Sequence, residues 1–170
     1  CCKRKPVLEL RPPRESDEPA FSAIRGTKER NFFHYLEPEM DFRAYLAVLR
    51  GKTRGESLPK DHVPSTFYFG MVGGEIVGRL SLRHQLNPVL EAIGGHIGYV
   101  VLEPHRRKGY ATAMLRLALV EARKLGLARV LLTCDEQNEG SRRTIEKCGG
   151  IYESSYAGPE VAVPKRRYWI

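Results

Sequence analysis

Three cations and a glycine stand together at Arg106-Arg107-Lys108-Gly109, and the residues on either side decide what they can do. Before them, Ile97, Tyr99 and Val101 alternate with His96, Gly98 and Val100, a β-rich run that reads as a largely buried strand. Glu103-Pro104-His105 ends it. After them, Ala111, Met114, Leu115, Ala118, Ala122 and Leu125 recur at three- and four-residue steps, the apolar stripe of an amphipathic helix. A strand, a basic glycine turn and a helix in that order leave the first N–H groups of the helix unpaired at the positive end of its dipole, with Arg and Lys beside them. The chemistry of such a place is the binding of phosphate.

Spacing narrows the ligand. The Walker pattern needs Gly-Lys-Ser/Thr, and here Tyr110-Ala111 follows Gly109. The dinucleotide fingerprint needs three glycines opening the helix, and this turn has one. What is present is Arg106-x-x-Gly109-x-Ala111 after a strand ending Val100-Val101. On that hexapeptide alone, a basic helix start with a glycine turn is an equal reading.

Further along, Ala128 to Cys134 is an apolar run that reads as the next strand, followed by Asp135-Glu136-Gln137-Asn138 and then by Ser141 to Gly150, a short helix. Together these features resemble the GNAT superfamily of N-acetyltransferases. Its acetyl-CoA signature is usually Gln/Arg-x-x-Gly-x-Gly/Ala, its fifth strand is followed by an Asn, and its fourth helix normally ends Gly-Phe. The block from Gly94 to Gly150 is most similar to a bacterial branch of predicted acetyltransferases, and the resemblance extends over about Glu75 to Gly150.

The resemblance implies acetyl transfer from acetyl-CoA, as co-substrate and without a metal, to a primary amine of a small molecule or peptide by direct attack on the thioester. It implies that backbone groups of Tyr99, Val100 and Val101 meet the oxyanion and the pantetheine amides, and that the pyrophosphate sits on the N–H groups of Arg107, Lys108, Gly109, Tyr110, Ala111 and Thr112. Arg106 and Lys108 would add charge, Asn138 would meet the pantetheine, and Ser141 would reach the cofactor from the next helix. The acceptor ammonium, with an ordinary pKa near 10.4, needs a base. Glu91 before the central strand and His96 within it are the candidates, against plain readings of a solvated acid and a core histidine. Where many family members carry a Tyr that protonates the leaving thiolate, this chain has Ile145, and Gly150 replaces the terminal Phe. Tyr152 is the nearest substitute, and the alternative is that the thiolate leaves unprotonated.

Around this block the chain of 170 residues reads as a single domain, 1–170, 42% hydrophobic and 28% charged. No apolar run approaches the roughly 20 residues of a membrane span, and Cys1-Cys2-Lys3-Arg4-Lys5 runs into Pro6 without the apolar core of a secretory leader. No cysteine stands at metal-ligand or C-x-x-C spacing, so a reducing, cytoplasmic setting is expected; Cys134, ending an apolar strand, reads as a small core residue. The net charge of +8 is scattered over Lys3 to Lys5, Lys52 to Arg54, Arg106 to Lys108, Arg142-Arg143 and Lys165 to Arg167. A nucleic-acid binder more often gathers its cations on one helix or interleaves them with aromatics. A CoA-binding protein without transferase activity and a basic nucleic-acid-binding domain are the two competing readings, and a homodimer is among the family's expectations.

The remaining elements complete an order β-α-α-β-β-β-α-β-α-β-β, the GNAT fold in the α/β class, with a mixed, mostly antiparallel sheet of about six to seven strands flanked by about four helices. Val7 to Leu10 reads as the first strand, and Ser16 or Asp17 as the cap of a helix reaching about Lys28. Asn31 to Pro38 is aromatic and irregular, with Phe32, Phe33, Tyr35 and Leu36 available to wall an acceptor pocket. A second helix spans Asp41 to Arg50, and Gly51 to Pro64 reads as a mobile surface loop. Thr66 to Leu82 reads as a hairpin about Gly73-Gly74, with Ile151 to Tyr156 and Arg166 to Ile170 as the last strands.

Overall fold

Alternation and helical stripes of the kind just described can be buried only if strands and helices stack in layers. The computed structural model of the chain, which describes residues 7–29 and 31–170, shows how. Cys1, Cys2 and the basic run Lys3 to Lys5 lie outside the described residues. The elements follow the expected order: β1 (Glu9–Arg11), α1 (Glu18–Ile24), α2 (Phe42–Thr53), β2 (Ser65–Val72), β3 (Glu75–Arg83), β4 (Ile97–Val101), α3 (Tyr110–Lys124), β5 (Leu131–Asp135), α4 (Glu139–Lys147), β6 (Ile151–Tyr156) and β7 (Lys165–Trp169). The strands form two antiparallel sheets, ordered β1-β2-β3-β4 and β5-β7-β6.

One face of the first sheet carries Tyr68, Leu80, Leu82 and Ile97 against Met114, Leu115 and Ala118 of α3, with Ile145 of α4 and Tyr168 of β7 in the same core. The other face carries Phe67, Phe69 and Ile76 against Phe21 of α1 and Phe42 and Tyr45 of α2. Period two along β3 therefore sets Leu80 and Leu82 toward α3, and Arg79, Ser81 and Arg83 toward the α1–α2 layer.

Local chemistry explains the element ends. Asp41 starts α2 by accepting the Ala44 N–H at 2.7 Å. The helix runs on to Thr53, so Gly51 and Lys52, expected in a surface loop, are buried, and the Lys52 ammonium bonds the Ser57 carbonyl. The first helix ends at Ile24 and not near Lys28: Gly26 interrupts it, and Arg25 turns away to the carbonyls of Pro38 and Met40 at 2.9 and 2.6 Å. Asp17 stands at the N-cap of that helix, but its carboxylate makes no cap bond to it; the side chain is 4% exposed and accepts two hydrogen bonds at 2.7 Å from Arg11 and one at 2.8 Å from the Arg14 N–H.

The two sheets meet at a seam between β4 and β5. The His96 N–H donates to the Leu131 carbonyl at 2.7 Å, and the Leu131 N–H donates back to His96 Nδ1 at 2.9 Å. Beyond this clasp no ladder joins the two strands among the described residues. Antiparallel pairing fixes which backbone groups the seam leaves open. The Leu102 N–H bonds Val77 and the His96 carbonyl accepts from Arg83, so the even-numbered residues of β4 turn their polar groups to β3. Tyr99 and Val101, alternate to them, turn theirs to the seam.

Candidate functional site

The turn between β4 and α3 is built from backbone that most side chains avoid. Arg107 has φ 60° and Gly109 φ 84°, and Gly109 is the N-cap of α3 with no side-chain cap bond. The first helical bond inside the turn runs from Ala113 to the Gly109 carbonyl at 3.1 Å. The amides of Tyr110, Ala111 and Thr112 are consequently left without a helical partner, at the positive end of a 15-residue helix.

These amides open onto a groove of about 600 Å³ lined by Tyr99, Val100 and Val101 of β4, Arg106, Arg107, Gly109, Tyr110, Ala111 and Thr112 of the turn, and Asn138 and Ser141 of α4's first turn. Every residue expected at the cofactor lines it except Lys108. Asn138 caps α4, its Oδ1 accepting the Ser141 N–H at 3.0 Å, so its amide NH₂ is left to donate elsewhere. The Ser141 hydroxyl pairs with the Tyr99 hydroxyl at 2.9 Å, and burial pushes the Tyr99 phenol up to about 12, so it stays protonated. Arg106 is less free than its sequence position suggests. Its guanidinium donates to the Val101 carbonyl at 3.1 Å and to Glu29 at 2.5 Å, which ties the turn to the segment after α1 and offsets its charge. An adjoining groove of about 530 Å³ between Arg107, Arg143 and Lys147 continues the cationic surface past Thr112 and Thr144.

A second cavity, of about 630 Å³, lies in the α1–α2 layer and includes Phe33, His34, Tyr35, Leu36, His62, Ser81 and Arg83 in its wall. Of the residues expected to wall an acceptor pocket, Phe33, Tyr35 and Leu36 line this cavity, and Phe32 is 1% exposed in the core. The two cavities flank the same strand: Ser81 of one pairs with Gly98, the neighbour of Tyr99 in the other, and Glu29 lines the first groove while Asn31 lines the second.

The predicted catalytic side chains are placed elsewhere. His96 is 5% exposed and committed through Nδ1 to the seam, so it is a clasp and not an accessible base. Glu91 is exposed on the helical turn Leu90–Gly94 and lines neither cavity. Tyr152 is 52% exposed on β6, its hydroxyl paired with Ser155 at 3.0 Å, and it too lines neither cavity. Ile145 is fully buried in the core. Cys134 is also core, and burial pushes its thiol up. The imidazoles at the second cavity, which the linear sequence does not single out, are His34, with Nδ1 3.2 Å from the Ser81 hydroxyl, and His62, with Nδ1 2.8 Å from the Tyr35 hydroxyl.

Burial, reinforced by the charges of Arg79 and Arg83, pushes His34 down to about 3. Burial lowers His84 and His96 as well. Each of these groups binds a proton less readily in the fold than in the unfolded chain, so stability is full above about pH 6.5 and falls as the pH drops below it. Between pH 6.5 and 5 the loss from His34 is at most about 2 kcal/mol, and it precedes the carboxylate range in which Asp17 loses its own stabilisation. Urea unfolding at pH 7 and 5 measures it, and His34→Gln should shrink the difference between the two.

The sequence model of the acetyltransferase (GNAT) domain matches residues 8–151. A comparison with curated proteins finds none that matches. Among solved structures the chain is similar to an acetyltransferase of GNAT family from Streptococcus pneumoniae, with 17% identity and a TM-score of 0.63 over 96% of this chain and 98% of that one. It is similar to Mycobacterium smegmatis RimJ in complex with a CoA disulfide, with 23% identity and a TM-score of 0.68 over 98% and 84%. RimL, a ribosomal L7/L12 alpha-N-protein acetyltransferase in complex with coenzyme A, gives 20% identity and a TM-score of 0.67 over 96% and 93%. At these identities the likeness to solved structures is one of fold. The family match spans most of the chain, and this protein belongs to the GNAT acetyltransferase family.

Proposed function

We propose that the protein transfers the acetyl group of acetyl-CoA to a primary amine of a small molecule or peptide by direct attack, with the cofactor in the β4–α3–α4 groove and the amine entering from the α1–α2 cavity. The observation that carries this reading is the open seam. The N–H groups of Tyr99 and Val101 face it, with the Val101 carbonyl taken by Arg106, uncapped α3 amides stand at one end, and the second cavity lies across the strand. Acetyl-CoA, when bound, supplies the thioester. The chain's own part is to hold its phosphates on the amides of Tyr110 to Thr112 and its pantetheine against the Asn138 NH₂. A preorganised N–H from Tyr99 or Val101 aimed at the oxyanion contributes roughly 3 kcal/mol in the transition state. Arg107, Arg143 and Lys147 extend the site for a further phosphate.

RimL, by its name an alpha-N-protein acetyltransferase, supports keeping peptide amines beside small molecules as acceptors. The basic nucleic-acid reading loses support because most cluster cations among the described residues pair with an acid: Arg54 with Glu56, Arg106 with Glu29, Arg142 with Glu139 and Glu146, Arg143 with Glu139, Lys165 with Asp135, Arg166 with Glu136 and Arg167 with Glu153. Among the described residues no helix is long and apolar enough to cross a membrane. Incubation with acetyl-CoA and a panel of amines tests the proposal through amine-dependent release of the CoA thiol and the mass of the product. Release that is never amine-dependent would favour a CoA-binding protein without transferase activity.

The thiolate leaves without a dedicated acid in this reading, since a thiol of pKa about 8.5 is a tolerable leaving group. Tyr99→Phe should then keep turnover within about threefold, well short of the 10²–10⁴-fold that general acid catalysis contributes. A hundredfold loss would instead make the Tyr99 hydroxyl the proton donor.

A further inference from the structure

Arg79 and Arg83 are neighbours on the face of β3 that looks into the α1–α2 layer, and neither has a carboxylate partner among the described residues. Arg79 is 7% exposed; it donates to the Asn31 carbonyl at 3.1 Å, and its Nε has no hydrogen-bond partner among the described residues. Arg83 lines the acceptor cavity and spends one nitrogen, Nη1, on the carbonyls of Gly94 and Gly95 at 3.2 and 3.0 Å. Its Nε and Nη2 make no hydrogen bond among the described residues and are not fully buried, so each keeps accessible surface on a residue that lines the cavity. Burial lowers both guanidiniums, the charge of Arg83 lowers Arg79 further, and no carboxylate among the described residues raises either. The carboxylates that do line the cavity, Glu37 and Asp61, are on exposed positions and contribute to neither. Two adjacent cations withdrawn from water without a counter-ion are a costly arrangement for a fold to keep, and an anion arriving with the ligand relieves it.

The position of the pair says which ligand. A Cβ on Gly98 would meet nitrogens of both guanidiniums at 3.8 and 3.9 Å, and the next residue is Tyr99, on the proposed reaction seam. The remaining cavity wall offers the hydroxyls of Tyr35, Ser65 and Ser81 and a neutral His34. Resting on the acetyl-transfer reading above, we infer that the acceptor is an amine whose own skeleton carries a small oxyanion, a carboxylate or a phosphate, which forks onto Nε and Nη2 of Arg83 and places the amine toward the Tyr99 seam. The planar guanidinium matches either oxyanion with two parallel hydrogen bonds.

The test compares matched probes on the full chain saturated with CoA: N-acetylalanine against its amide, and phosphoethanolamine against ethanolamine, at constant ionic strength. The member of at least one pair that carries the oxyanion should raise the melting temperature by several degrees over the partner that lacks it and slow phenylglyoxal modification of Arg83, read by peptide mass spectrometry, severalfold. Which pair responds separates carboxylate from phosphate. In Arg83→Gln the difference between partners should vanish while the shift with acetyl-CoA persists. Because Arg83 also holds Gly94 and Gly95, the modification experiment on the unaltered chain decides should that variant not fold. Equal shifts and equal modification for both members of both pairs, or a preference that survives in Arg83→Gln, would overturn the inference while leaving acetyl transfer standing. Absence of any acetyl-CoA shift in the unaltered chain would remove both readings together.

Discussion

Gly109→Asp should leave the fold standing and remove acetyl-CoA binding. A Cβ at this position meets no atom within 4 Å, so the substitution carries only the strain of a left-handed residue, φ 84°. That strain is about 1 kcal/mol, and Asp is among the residues that tolerate it best. The carboxylate, however, stands beside the uncapped amides of Tyr110 to Thr112, where it both competes for the N–H groups and repels a ligand with several phosphates. For the unaltered chain, acetyl-CoA or CoA at about 100 times its dissociation constant should add roughly 2.7 kcal/mol. That corresponds to a rise in melting temperature of about 5–10 °C for a domain of this size. ATP should give no comparable rise. In Gly109→Asp the unliganded melting temperature should fall by only a few degrees and the rise with both CoA forms should disappear. A shift of full size in the variant would move the phosphates away from this turn.

That turn was legible because its information is local. The strand period, the glycine and the α3 stripe all lie within Gly94 to Leu125, and antiparallel neighbours then bring Asn138 and Ser141 to the same groove. What could not be read is what distant segments do to one another. His34, His62 and Arg83 share one cavity only because α2 and the hairpin fold the segments that carry them together. Arg106 looks like a free phosphate ligand in sequence, and the salt bridge that occupies it comes from Glu29, 77 positions away. His96 has the residue type of a base, but its environment is a seam whose other half, Leu131, lies 35 positions on. Period-two alternation puts Arg79 and Arg83 on one face of β3, yet only the tertiary structure reveals that no carboxylate among the described residues acts on either. The sequence pattern carries the first helix to about Lys28, and the reason it ends at Ile24 is local: Gly26 disfavours its continuation.

The seam has little room for an added side chain, and Gly95→Ala should expose this. Gly95 has φ 64° and ψ −173°, a region that side-chain-bearing residues essentially do not occupy. A Cβ there would stand 2.5 Å from the Leu131 carbonyl oxygen and 3.2 Å from the Leu132 Cα, and these are backbone atoms of β5 that cannot swing aside. Relief requires β5 to move away from β4, and that motion breaks the His96–Leu131 clasp and leaves a buried N–H without its acceptor. Strain and lost hydrogen bonding together should cost about 3 kcal/mol or more. The melting temperature then drops by roughly 6–12 °C. Gly73→Ala is the matched control, since Gly73 is also left-handed, φ 58°, but has nothing within 4 Å of its Cβ position; it should cost about 1 kcal/mol. Because the clasp also sets how far the open backbone groups of Tyr99 and Val101 stand from β5, Gly95→Ala should lose acetyl transfer at temperatures where it remains folded, whereas Gly73→Ala should not. Equal effects of the two substitutions on stability would mean that β5 yields easily, and that the seam is held by packing of α3 and α4 and not by the backbone clasp.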